Sequence, residues 1–355
     1  MRSYHNCTLT KSYKNTAHFI DLRSDTVTLP SKEMIKFASD SLLGDDVYSE
    51  DPTVIELQSL AAKMFHKDSA LFFPSGTQSN LTSIISHCNR GDEVLVGREY
   101  HSYSHEAHGA SVLGGVALTP IETNQNDEIS VESILNEIKP EDSHYAKTRL
   151  LCIENTVSGK AQNQENIDKL CIAAHENGLK VHLDGARIFN AHIHSGLPLD
   201  KLTKNVDSVS ICLSKGLGSP IGSILIGNSE FIKKAKRNRK LLGGGMRQVG
   251  VIAGYGLYAL KNNIERLVND HKNAKKLADS LSLIPELKVN YTNTQTNMVF
   301  IKFSELLQKD LISYLFNNNI NISTISGESR LVCHLDVSSK QIDQVVEHFN
   351  IFFNK

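Results

Sequence analysis

Nowhere in its 355 residues does this chain hold an apolar run long enough to cross a bilayer. The longest candidate, Val249 to Leu260, is broken by glycine and tyrosine and falls short of the roughly 20 apolar residues a spanning helix needs. The N-terminus lacks the apolar centre of a secretory signal. Net charge is also scarce, at −1, which removes any global electrostatic case for nucleic acid or an anionic membrane. The six cysteines (Cys7, Cys88, Cys152, Cys171, Cys212, Cys333) show no CxxC spacing, and a small buried thiol in a reducing cytoplasm is the simplest reading. The first eighteen residues have no acidic side chain and carry Arg2, Lys11 and Lys14, a faint likeness to a transit peptide. A loose extension over residues 1–18 is the expectation there.

With 40% apolar content, a chain of this length can bury one large core and a smaller one. From Asp51-Pro52 onward, helical and strand-like patterns alternate. Val54, Leu57, Leu60, Ala61 and Met64 recur at helical spacing. Ala70-Leu71-Phe72-Phe73, a helix from Thr77 to His87, Val94-Leu95-Val96, a glycine-rich helix or loop near 103–115 and a strand at 116–118 follow. Leu150-Leu151-Cys152-Ile153 reads as a fully buried strand, and the helix from Ile167 closes at Asn177-Gly178. The pattern predicts an α/β fold with a largely parallel central sheet flanked by helices. The expected division is a large domain over 19–265 and a small α+β domain over 266–355, with strands near 298–302 and 331–335.

Sheets of this kind bind ligands at the carboxyl ends of their strands, where Lys215, Asp184 and Ser75-Gly76-Thr77 all fall. Lys215 follows the apolar positions Val209, Ile211 and Leu213 and opens a loop, 216–222, of little side-chain bulk. An amine there can be desolvated toward the neutral form that attacks an aldehyde; the alternative is a solvated helix-entry lysine. Asp184 could keep a pyridine nitrogen protonated, or simply serve the turn before Gly185. Arg187 could clamp a carboxylate in two-pronged fashion, and Arg330 is a second candidate. Ser75-Gly76-Thr77 starts a helix, so its amides and the positive dipole end suit a phosphate. Lysine, aspartate and arginine together suggest pyridoxal phosphate.

Other clusters support less. Gly216-Leu217-Gly218 is no dinucleotide fingerprint, because the third glycine is misplaced and a strand follows. His101, His105 and His108 with Glu106 share helical spacing and could hold zinc, but a histidine lying over an aromatic cofactor explains His101 more simply, and no metal is expected. Six basic residues between Lys233 and Lys240 have no interleaved aromatics and read as a solvated helix face rather than a nucleic-acid patch.

Five motifs in order, Asp21-Leu22-Arg23-Ser24-Asp25-Thr26-Val27-Thr28, Gly44-Asp45-Asp46-Val47-Tyr48, Asp184-Gly185-Ala186-Arg187, Ser214-Lys215-Gly216-Leu217-Gly218 and Gly243-Gly244-Gly245-Met246-Arg247-Gln248, closely resemble the low-specificity L-threonine aldolases. The likeness covers about residues 19–345. It implies a fold-type I pyridoxal-phosphate enzyme, usually a tetramer built from dimers with shared active sites, that cleaves threonine or allo-threonine to glycine and acetaldehyde. By resemblance, Lys215 would carry the cofactor, Asp184 would pair with its ring nitrogen and His101 would stack on the ring. Ser75, Gly76 and Thr77 would hold the phosphate with Arg247 reaching in from a partner subunit, Tyr48 lying near the same shared site. Ser24, Arg187 and Arg330 would bind the substrate carboxylate.

One departure bears on the substrate. Where that family commonly has histidine after Glu-Asn-Thr, this chain has Val157, which can neither give nor take a proton at the β-hydroxyl. His101 or an ordered water is then the candidate base. The rival readings are a β-eliminating lyase, a racemase or an aldolase for bulkier β-hydroxy amino acids, and, more remotely, a non-catalytic or nucleic-acid-binding protein.

Overall fold

The computed structural model describes residues 19–354, so the expected loose extension at 1–18 lies outside the described residues. In chain order the strands are β1 (Ile20–Asp21), β2 (Ser69–Phe73), β3 (Glu93–Gly97), β4 (Ala117–Ile121), β5 (Thr148–Glu154), β6 (Lys180–Gly185) and β7 (Ser208–Cys212). They continue with β8 (Ser223–Gly227), β9 (Lys288–Asn290), β10 (Met298–Lys302), β11 (Ile320–Asn321), β12 (Thr324–Ile325) and β13 (Glu328–Val332). Two units emerge: residues 30–264, and a second made of 19–29 with 265–354.

The larger unit is an α/β layer built on a seven-stranded sheet of order β2-β8-β7-β6-β5-β3-β4. The run from β7 to β4 is parallel, while β8 lies antiparallel to both β7 and β2. The antiparallel return has a simple cause. Only residues 213–222 join β7 to β8, too few for the dozen or more that a parallel crossover requires. β7 and β8 are buried throughout, as their Val/Ile/Leu-rich sequence demands of strands covered on both faces.

Local signals start and stop the helices around this sheet. Asp51 accepts from the Val54 amide and Pro52 occupies the first turn of the helix Pro52–Met64. Ser75 accepts from the Gln78 amide at the head of Gly76–His87. The helix Gln164–Glu176 ends before Gly178, whose φ of 76° only glycine adopts without strain. The ambiguous stretch near 103–115 becomes a short helix, His101–Ser104, and a π-turn, Ala110–Gly114.

The basic run near 233–240 is not wholly a solvated face. Within the helix Ser229–Leu241, Arg239 turns inward, 2% exposed, and donates to Asp46 Oδ2 at 2.7 Å and to the Phe72 carbonyl at 2.7 Å. Position on the helix decides this, since Phe231, Ile232 and Ala235 bury the same face.

The second unit stacks the helices Leu267–Leu281 and Ser339–Phe353 on an antiparallel sheet of order β12-β13-β10-β9, around Leu277, Val299, Leu331 and Phe349. Residues 19–29 group here rather than with the large unit, as the sequence boundaries have them. β1 pairs in parallel with β11, Ile20 opposite Ile320, and Leu22 is buried in this core. A long-range strand pair outweighs sequence position, because it satisfies backbone donors that would otherwise go unpaired.

Candidate active site

Asp184 lies near the end of β6, and Lys215 comes three residues after its neighbour β7. Both side chains line a cavity of about 270 Å³ together with Ser75, Gly76, Thr77, Asn80, His101 and Glu106. The volume sits near the lower end of small-ligand pockets, about 300 Å³. Parallel strands carry these residues to one rim because each ends its hydrogen-bonded run at the same edge of the sheet.

The helix Gly76–His87 points its N-terminus at the cavity, presenting unsatisfied amides and the positive end of its dipole. Gly76 is needed there. A Cβ on it would stand 2.7 Å from Cys212 Sγ, so the helix could not approach β7 as closely with any larger residue. Burial pushes the Cys212 thiol up, with the Lys215 ammonium pulling the other way.

Asp184 is 4% exposed and its two oxygens are both acceptors: Oδ1 from the Ala186 amide at 3.0 Å, Oδ2 from Asn80 Nδ2 at 2.8 Å. Facing it, His101 sits half-buried at the start of its short helix, its amide donating to Glu154 Oε2 at 2.7 Å. His101 Nδ1 bonds Glu106 Oε1 at 2.9 Å. Burial works against protonating this imidazole, but Glu106, Asp184 and Glu154 together raise it above the ordinary histidine value. Burial likewise raises Glu106, which the His101 hydrogen bond partly offsets. His101, Glu106 and Asp184 bring ligand-type atoms within 4.8 Å of one another, whereas the zinc arrangement weighed from sequence used His105 and His108. Those two turn elsewhere, His105 to stack on His101 at 5.5 Å and His108 against Tyr103.

Not every sequence candidate lines the cavity. Arg187 stands at the N-cap position of the helix Ile188–Ser195, directly after the lining residue Ala186, without a side-chain capping bond. Tyr48 is 70% exposed and lies under Arg247, whose guanidinium carbon is 5.8 Å from the ring and whose Nη1 donates to Asp45 at 2.9 Å. Val157 is 1% exposed and bridges to Lys160, a core residue rather than a cavity wall. Ser24 and Arg330 belong to the second unit, where Ser24 caps the turn Asp25–Val27 and Arg330 donates to the Arg23 carbonyl.

Asn80 was not legible as a site residue, and Glu106 appeared only as a metal candidate. Asn80 carried a signal all the same: four residues after Gly76, it shares that helix face one turn deeper.

A family model described as beta-eliminating lyase matches residues 21–304. The low specificity L-threonine aldolase of Escherichia coli strain K12 is 45% identical over 333 residues, covering 94% of this chain and 99% of its own. Low-specificity L-threonine aldolase 1 of Arabidopsis thaliana is 41% identical, covering 93% of this chain and 95% of its own. Among solved structures, a threonine aldolase of Leishmania major superposes with a TM-score of 0.80 at 19% identity, over 94% of this chain and 99% of that one. The last agreement concerns the fold: the alternating pattern predicts the largely parallel α/β sheet, and the resemblance implies its fold-type I arrangement. Matched along nearly its whole length at such identity, this chain belongs to the low-specificity L-threonine aldolases of the beta-eliminating lyase family.

Proposed function

We propose that this protein is a pyridoxal-phosphate-dependent aldolase that cleaves L-threonine, L-allo-threonine or a related β-hydroxy-α-amino acid to glycine and an aldehyde. The observation that carries it is the convergence of an amine, Lys215, a carboxylate, Asp184, and a helix N-terminus at Ser75-Gly76-Thr77 on one small cavity. The residues fit the cofactor: Asp184 is held with both oxygens as acceptors, and the first amides of the helix Gly76–His87 face the cavity, where a phosphate would sit. When bound, pyridoxal phosphate supplies an aldehyde and a protonated ring that takes up the electrons of the breaking Cα–Cβ bond.

In this reading Lys215 would hold the cofactor through its aldehyde, the group with which a substrate amine would also combine. Asp184 keeps the ring nitrogen protonated, since a carboxylate beside it favours the charged form. Ser75, Gly76 and Thr77 bind the phosphate. Arg187 would fix the substrate carboxylate and so orient the bond to be broken, the role that the family resemblance also gives Ser24 and Arg330. His101 lines the cavity and would lie against the ring, and with Val157 buried and aprotic it is the side chain nearest in character to a base for the β-hydroxyl. In this reading the protein is a homo-oligomer, a tetramer of two dimers in which Arg247 and Tyr48, both largely exposed in the single chain, complete a partner's site. Among the described residues no helix is long and apolar enough to cross a membrane. The cytoplasm is the proposed compartment.

The test offers the purified enzyme L-threonine, L-allo-threonine, phenylserine and serine and measures glycine, aldehyde and pyruvate separately. Glycine with a stoichiometric aldehyde, and borohydride fixing the cofactor on Lys215, is the expected result. Pyruvate without glycine would assign a β-eliminating lyase instead.

A further inference from the structure

Behind the cavity wall, one side chain joins the two carboxylates that face it. Asn80 is 2% exposed, and its Nδ2 reaches Asp184 Oδ2 at 2.8 Å and Glu106 Oε1 at 2.9 Å. Each of these oxygens accepts an amide hydrogen, so both hydrogens of Nδ2 are committed and the orientation of the Asn80 amide is set. Its Oδ1 is then an acceptor toward His182 Nε2, 3.2 Å away, which requires the Nε2–H tautomer of His182. With that proton placed, the single lone pair of His182 Nδ1 accepts from one of the two hydroxyls beside it, Ser83 at 2.8 Å or Ser208 at 2.9 Å. The buried chain His182, Asn80, Glu106, His101 thus assigns a direction to every hydrogen along it.

We propose that Asn80 and Glu106 are positioning residues of this site. Asn80, braced from behind by the Nε2–H of His182, fixes the Asp184 carboxyl group toward the cofactor ring, and Glu106 fixes His101 with its Nδ1–H turned inward and its Nε2 left to face the bound molecules. The inference rests on the proposed pyridoxal-phosphate reading and deepens it. Its physical basis is shared donation: one amide gives a hydrogen to each of two buried carboxyl groups whose oxygens lie within 4.8 Å of each other, which offsets part of their repulsion and fixes both in place. Neither residue touches the chemistry through its own proton in this scheme, because each acts through Asp184 or His101.

The experiment titrates cofactor-free wild type, Asn80→Ala, Asn80→Asp, Glu106→Gln and Glu106→Ala with pyridoxal phosphate. It follows the visible absorbance for the dissociation constant, the melting temperature of each cofactor-free form, and kcat and KM on L-threonine. An amide at 106 still offers one oxygen to both Asn80 and His101, so Glu106→Gln should bind the cofactor within about twofold of wild type and lose less kcat than Glu106→Ala. Asn80→Ala should weaken cofactor binding about tenfold or more, the scale of a lost hydrogen bond to a charged group, and Asn80→Asp further still, by adding a third carboxylate. Both Asn80 variants binding like wild type would overturn the proposal, as would Glu106→Gln failing as badly as Glu106→Ala. A cofactor-free melting temperature that falls with no change in cofactor affinity would reduce Asn80 to a packing residue and also overturn it. Wild type that takes up no pyridoxal phosphate would sink the functional reading itself, a separate outcome.

Discussion

Glu154 and Asp184 are register partners on the adjacent parallel strands β5 and β6, so two carboxyl groups leave the same face of the sheet side by side. Burial first, and Asp184 second, push Glu154 up to about 8, while its Oε2 accepts the His101 amide at 2.7 Å. The folded chain therefore holds a proton that the unfolded chain has already released above about 4.5, and this group's contribution to stability falls as pH rises toward 8. Glu154→Gln should flatten that decline and keep the His101 contact. Glu154→Ala should cost about 1–3 kcal/mol through the orphaned amide. Urea unfolding of both variants at pH values spanning that window checks the pair.

The buried histidines respond in the opposite sense. Burial lowers His182 to about 4 and His87 to about 3, and the two are linked through the Ser208 hydroxyl. Both are neutral in the fold, so their share of stability is complete above 6.5 and is lost as pH falls through that value toward 4, when the unfolded chain takes up protons first. For His182 the loss is on the order of 3 kcal/mol. His182→Gln, which keeps a donor for Asn80, should make the acid limb of the stability curve shallower; an unchanged limb would contradict the assignment.

Arg239 and Asp46 form a buried ion pair at 2.7 Å, with side chains 2% and 7% exposed. Removing one partner strands the other, so Asp46→Ala should lower stability by about 3–5 kcal/mol. Thermal unfolding of the cofactor-free protein measures it. A shift no larger than that of an exposed substitution such as Lys275→Ala would show that the pair is solvated.

Gly76 and Cys212 make a steric pair with a reciprocal remedy. Gly76→Ala should weaken cofactor binding and lower the melting temperature, because its methyl would stand 2.7 Å from Sγ. Cys212→Ala in the same chain removes that sulfur and should recover most of the loss. Two losses that merely add in the double variant would place the damage elsewhere.

Val157 is 1% exposed, flanked by the buried Asn155 Nδ2 and Thr156 Oγ1, neither of which has a hydrogen-bond partner. V157H forces an imidazole into this core and should lower stability by about 1–3 kcal/mol. Differential scanning calorimetry reads the shift, and a melting temperature at or above wild type would mean that the pocket accepts the ring.

Alternation of apolar strands with amphipathic helices was enough to define the α/β layer, and the residues at strand ends, Lys215, Asp184 and Ser75-Gly76-Thr77, were legible because a strand's last residues must emerge at the sheet rim. Helix starts at Asp51-Pro52 and Ser75 were equally local, each needing only a side-chain oxygen and the next few amides. What joined distant positions was not. That Asn80 bridges Asp184 and Glu106, that Arg239 leaves the basic face to meet Asp46, and that β1 pairs with β11 all depend on contacts between residues far apart in the chain. Periodicity reports which side of an element faces inward, but only the folded packing decides which buried donor finds which buried acceptor.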